Sequence, residues 1–182
     1  MINIDEYSIL KEHITTLKKT SKDNNHKNNI EYMTNSKLPV INFDKVAKAY
    51  AREHKLKILL TSNDAVFLDE DSNAIFIEFK NGNISKEELD NVKQKLYESV
   101  LMLLDILDEK ISYSRDNIRY ILVYNGVKNS RVSIGTHIAQ KAGNHFIEFG
   151  LSRFKGFCLK DIYTYTKEEF EEKFVKFYDK KV

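Results

Sequence analysis

Tryptophan is absent from the 182 residues, and cysteine and proline occur once each. A single thiol, Cys158, rules out an internal disulfide and a cysteine cage for zinc within one chain, which suits a reducing, cytoplasmic setting. Set in GFCLKD, it reads as a packing residue. Glycine is scarce, at six residues. There is no glycine-rich phosphate loop, dinucleotide fingerprint or Gly-x-Ser-x-Gly elbow, so nucleotide-triphosphate enzymes, Rossmann oxidoreductases and serine hydrolases have no support. No apolar run approaches the ~20 residues that span a bilayer. The opening MINIDEYSILKEH is too acidic and too polar for a secretory signal, so neither a membrane partner nor secretion is expected. The formal charge is only +2, and any surface for nucleic acid must therefore be a local basic patch.

What the chain does have is core material: 42% hydrophobic residues, among them 11 Phe and 10 Tyr, enough for one domain. Ile4, Tyr7, Ile9, Leu10, Ile14 and Leu17 make a loosely helical pattern that ends in Lys18 and Lys19. The polar run TSKDNNHKNN follows as a loop. Residues 1–36 thus read as an N-terminal helical arm with a flexible loop, and 37–182 as a single α/β domain. Past Pro39, VINF is strand-like, and Phe43, Val46, Ala47, Tyr50 and Ala51 place a helix over Asp44 to His54. Short β-rich runs succeed it: LKILL from Leu56, DAVFLD from Asp64 and NAIFIEFK from Asn73. The turn-forming cluster between the last two predicts an antiparallel hairpin. Ser85 and Glu88 form a capping box for a helix running to Leu107. IRYILVYN from Ile118 reads as a central strand, then a helix over Arg131 to Ala142, a strand HFIEF from His145, and the strand-like CLKDIYTYT. A second capping box, Thr166 with Glu169, opens a C-terminal helix carrying Phe170, Phe174 and Phe177.

Chemistry is concentrated in the hairpin. Side chains alternate faces along a strand, so Ala74, Phe76, Glu78 and Lys80 share one face. Asp64 starts the partner strand. Two carboxylates and an ammonium at the ends of adjacent strands offer hard oxygen ligands for Mg²⁺ and a group able to orient or deprotonate a water, which is the equipment of phosphodiester hydrolysis. Acid-x-Lys triplets also occur at Glu53, Asp108, Glu171 and Asp179. Only the triplet at Glu78 ends a strand, follows an Asp at hairpin distance and precedes a capped helix.

In that context the sequence resembles the PD-(D/E)xK nuclease superfamily, of restriction-endonuclease-like fold, from about Asp44 to Asn125. The resemblance implies a three-layer α/β core, a central mixed β-sheet flanked by helices, and a Mg²⁺- or Mn²⁺-dependent nuclease acting on DNA or RNA. It makes Asp64 and Glu78 metal ligands, the Phe79 carbonyl a further ligand, and Lys80 the catalytic lysine. Asn63 stands where the eponymous proline would sit. Members often add an acid from the helix before the hairpin. Glu53, one heptad beyond Val46, is preferred over Glu31 for that place. Gln94 and Tyr97 resemble the glutamine and tyrosine of RecB-like members, which makes Gln94 a supporting candidate.

Lys18, Lys19, Lys22 and Lys27 on the arm, with Lys93 and Lys95 on the long helix, are candidates for tracking a phosphate backbone. His137 and His145 have no metal-ligand spacing and read as ordinary histidines. The rival to a nuclease is a catalytically inactive binding protein on the same fold, an immunity or antitoxin-like partner of another protein.

Overall fold

The computed structural model describes residues 2–23, 30–71, 73–130 and 147–180. The helix expected over Arg131 to Ala142, His137, His145 and Lys27 lie outside them, as do the first two residues of the expected HFIEF strand. Its remaining three, Ile147 to Phe149, are not strand.

Among the described residues the strands are, in chain order, β1 (Ile14–Thr16), β2 (Lys22–Asp23), β3 (Glu31–Tyr32), β4 (Pro39–Asn42), β5 (Ala65–Leu68), β6 (Ala74–Lys80), β7 (Ile118–Tyr124) and β8 (Asp161–Thr166). The helices are α1 (Ser8–Lys11), α2 (Leu17–Thr20), α3 (Phe43–Glu53), α4 (Lys86–Ile106), α5 (Ile111–Asn117), α6 (Lys167–Phe170) and α7 (Lys176–Asp179). A π-helical turn, Glu171–Val175, joins the last two. Six strands form one mixed sheet in the order β1-β4-β5-β6-β7-β8, antiparallel as far as β6 and parallel from β6 to β8, while β2 and β3 pair separately. No described helix is long and apolar enough to cross a membrane.

Period-two alternation sorts the sheet into two apolar faces. Val66, Phe76, Tyr120 and Leu122 pack with Phe43, Val46 and Ala47 of α3 and with Val92, Leu96, Val100 and Leu103 of α4. Ala65, Phe67, Ile75, Ile77, Ile121 and Val123 pack on the other side with Phe170, Phe174 and Val175. The molecule is therefore an α/β protein whose central mixed sheet carries helices on both faces.

The β5–β6 turn is closed by Asp69, whose Oδ1 accepts from the Asp71 and Asn73 amides at 3.0 and 2.8 Å. This Asx geometry holds a tight reversal without glycine. Ser85 caps α4 by accepting from the Glu88 amide at 3.2 Å. Only that half of the expected box forms, because the Glu88 carboxylate turns to Lys80 instead. At Thr166 and Glu169 both halves are present.

Residues 4–20 differ from the single helix expected of them. A 3-10 turn and α1 lead into β1, which pairs antiparallel with β4 before α2 begins. The β-branched run Ile14-Thr15-Thr16 disfavours helix and suits a strand beside an available edge. Leu10 and Leu17 are fully buried, one on each side of the sheet, so this segment belongs to the core. LKILL also departs from expectation. It forms no strand, and Ile58 and Leu59 are 77% and 63% exposed.

Candidate functional site

The register Ala65↔Ile77, continued by one residue, sets Asp64 opposite Glu78. Both side chains then share the face that α4 covers. Asp64 precedes β5 and its Oδ2 accepts the Phe79 amide at 2.7 Å, so the carboxylate continues the ladder beyond the last backbone pair. The carbonyl of Phe79 lies on the same strand edge as its amide and so faces Asp64, whereas the next carbonyl, Lys80 O, accepts from Asn125 N on the β7 side.

Glu78 is completely buried. Its Oε1 accepts from Lys95 Nζ at 2.8 Å and lies 3.2 Å from Lys80 Nζ, while Oε2 has no hydrogen-bond partner among the described residues. Lys95 Nζ is also 4.0 Å from Asp64 Oδ1. Lys80 pairs in addition with Glu88, at the mouth of the site. Orphaned buried polar atoms recur nearby. The Asn63 side-chain amide and the Tyr120 hydroxyl have no partner among the described residues either. Such groups in one place mark where water or an ion belongs.

Burial, then the Glu78 carboxylate, holds the Asp64 carboxyl well above its ordinary range, against the opposing pull of Lys95 and the Phe79 amide. For Lys80 burial works downward, but Glu78 and Glu88 outweigh it and keep the ammonium above the usual lysine value. Lys95 is raised in the same way, with Glu78 and Asp64 overcoming its burial. Glu88 is lowered by its hydrogen bond from Lys80. Burial pushes the Tyr120 phenol far up, with Glu78 and Asp64 adding to it. Both lysines are therefore cations at neutral pH.

A cleft of about 290 Å³ opens beside Asp64, Phe79, Lys80 and Glu88, with Glu78 and Lys95 behind its lining. Asp64, Phe79 and Lys80 form its floor, Asn81 to Ile84 with Glu88 one wall, and Thr20 to Asp23 with Met33 the other. Asn81 ties the walls together. Its Nδ2 donates to Asp23 Oδ2 and Glu31 Oε2, both at 2.8 Å, while its Oδ1 accepts from Asn125 Nδ2 at 2.9 Å.

The structure thus brings together Asp64, Glu78, Phe79 and Lys80, and adds Lys95, which the sequence suggested only as a phosphate contact. Lys22 lines the cleft. Lys18 lies 4.9 Å above the Tyr32 ring, Lys19 is exposed, and Lys93 bonds Asp90 at 3.0 Å. Gln94 is exposed and donates to Glu98 at 2.7 Å, and Glu98 in turn accepts from Thr61. Glu53 is exposed at the end of α3, roughly 13 Å along the helix from its first turn, given 1.5 Å per residue. The acid of α3 that acts on the site is Asp44 in that first turn. It accepts from Ser62 Oγ at 2.6 Å and its charge reaches Asp64 and Lys95. Adjacency to the Asn42 cap was the available signal, since residues there face the loop that delivers Asp64.

No described group of three or more His, Cys, Asp or Glu side chains is arranged to hold a metal ion. Two carboxylates and a carbonyl nonetheless suit Mg²⁺, which keeps several waters and takes few protein ligands. No protein-family model, curated protein or solved structure matches the chain.

Proposed function

We propose that the protein is a Mg²⁺- or Mn²⁺-dependent nuclease of the PD-(D/E)xK kind, hydrolysing phosphodiester bonds of DNA or RNA on a restriction-endonuclease-like core. The observation that carries this reading is Glu78. A completely buried carboxylate, set opposite Asp64 and flanked by two ammoniums, leaves one oxygen without a partner among the described residues. Burying a carboxylate that way is costly unless the oxygen serves a ligand.

Asp64, Glu78 and the Phe79 carbonyl would hold the ion. When bound, it supplies Lewis-acid stabilisation of charge developing on the scissile phosphate. Lys80, held as an ammonium, donates rather than abstracts protons. It orients the attacking water and stabilises developing negative charge from the cleft floor. Glu88 fixes its rotamer. Lys22 lines the facing wall, and there it would meet a phosphate of the same strand.

Purified protein is expected to cleave a panel of single- and double-stranded DNA and RNA with Mg²⁺ or Mn²⁺. EDTA, Asp64→Ala, Glu78→Ala or Lys80→Ala should each reduce cleavage at least about 100-fold, the scale set by loss of one transition-state charge contact, with circular dichroism unchanged. An uncut panel across both metals sinks the proposal. The ion pair of Lys95 with Glu78 favours a second reading, since an internal cation can satisfy the acids without a metal: an inactive binding protein that keeps the scaffold. An uncut panel together with no metal binding selects it.

A further inference from the structure

Lys95 stands where a cation between the two acids would stand. Its Nζ lies 2.8 Å from Glu78 Oε1 and 4.0 Å from Asp64 Oδ1. Lys80, the other ammonium at Glu78, is drawn outward by Glu88. The placement follows from helix register. Lys95 comes three residues after Val92 and four before Ser99, both fully buried on the sheet-facing stripe of α4. A lysine there points over the ends of β5 and β6, unlike Lys93 with its surface partner Asp90. Its side chain retains 24% exposure, so the four-carbon stem has a route out to solvent.

We propose that Lys95 is an internal counter-cation that holds the Asp64–Glu78 pair in the metal-free protein and leaves it when a divalent ion is bound. Lys95 and the ion then compete for the same carboxylates. This rests on the metal-dependent reading above. Without that cation the buried acids repel each other and are stripped of water, which costs stability. With both cations present, ammonium and metal repel across a few ångströms of poorly screened space. Displacement resolves the conflict. It also moves an ammonium to the cleft edge beside Lys80, where an anionic backbone would meet it. Metal loading then does two things: it completes the acid site and turns Lys95 towards substrate.

The test uses the full chain, stripped with EDTA. Mn²⁺ is titrated calorimetrically into wild type and Lys95→Met. In parallel, wild-type lysines are reductively methylated with and without saturating Mg²⁺ and read by peptide mass spectrometry. Lys95→Met is expected to bind Mn²⁺ at least tenfold more tightly than wild type. Methylation of Lys95 should rise severalfold with Mg²⁺ while that of Lys93 stays constant. Equal or weaker Mn²⁺ binding by the variant, or unchanged Lys95 methylation in wild type that demonstrably binds metal, overturns the displacement and leaves the metal reading standing. Absence of binding to either protein overturns both. If Lys95→Met does not fold, the methylation of wild type decides by the same criterion. A lysine that stayed in place would also repel the ion, so its removal would tighten Mn²⁺ binding too. The rise of Lys95 methylation with Mg²⁺ is the readout that a fixed lysine would not move.

Discussion

Asn63 is fully buried, and its backbone amide donates to Ser99 Oγ at 2.8 Å. Proline has no amide hydrogen to donate. The absence of proline at this point therefore has a local cause, since proline would leave the Ser99 hydroxyl without its donor in the interior. One residue on, Asp64 has a pH signature. Its carboxyl is raised in the folded state, chiefly by burial, so the stability it contributes is full below the unfolded value, near pH 4, and falls as pH rises through the folded value. Asp64→Asn removes the ionisable group and keeps an oxygen for the Phe79 amide. The variant should match wild type near pH 4 and exceed it at pH 8 in urea-denaturation midpoint. A variant less stable than wild type at pH 8 would mean that the Lys95 and Phe79 contacts outweigh burial. Lys95 and Asp44 were not assigned to this site from sequence because both roles depend on tertiary proximity. For Lys95 the helical register beside Val92, Leu96 and Ser99 was a usable sign. Charge type alone pointed to solvent.

At the scale of elements, the hairpin β5–β6, the capped helix α4 and strand β7 were legible because each has a local cause: alternation, turn chemistry, a cap, a β-branched run. The N-terminal segment was not. Its apolar residues fit a helical template loosely, and only the edge offered by β4 selects a strand for Ile14–Thr16. LKILL failed in the opposite direction. Its composition suits a strand, yet it joins α3 to the β5 loop with no strand beside it, and most of it stays exposed. An arm that is part of the core cannot be removed without cost. Deleting residues 1–29 strips out Leu10 and Leu17, each fully buried and each contributing about 1.5–3 kcal/mol by area. A loss of at least about 3 kcal/mol in unfolding free energy is expected, measured by urea denaturation. A deletion that leaves the midpoint unchanged would restore the picture of a loose arm. Lys18, Lys19 and Lys22 are for that reason better tested by substitution with glutamine than by truncation.

Across the whole molecule the sheet divides labour. One face, under α3 and α4, carries the carboxylates at its end, and the other is closed by the aromatic stack of Phe170 and Phe174, whose rings lie 4.9 Å apart. The cleft adds a second division, between contacts that are near and far along the chain. Phe79 to Asp64 spans 15 residues, Lys95 to Glu78 spans 17 and Lys80 to Glu88 spans 8. The clamp on the facing wall, from Asn81 to Asp23 and Glu31, spans 58 and 50. Short loops close early and at low entropic cost, whereas long ones wait for the rest of the chain. In native-state hydrogen exchange the Phe79 amide should exchange only through global unfolding. The Met33 amide, bonded to Ser21 O in the wall, should exchange through a smaller opening that is insensitive to low urea. Equal protection at both sites would show that wall and floor form one cooperative unit. In folding time, a hairpin and the helix after it settle the acids with their ammoniums, and the chain's beginning comes last, closing over a floor already built.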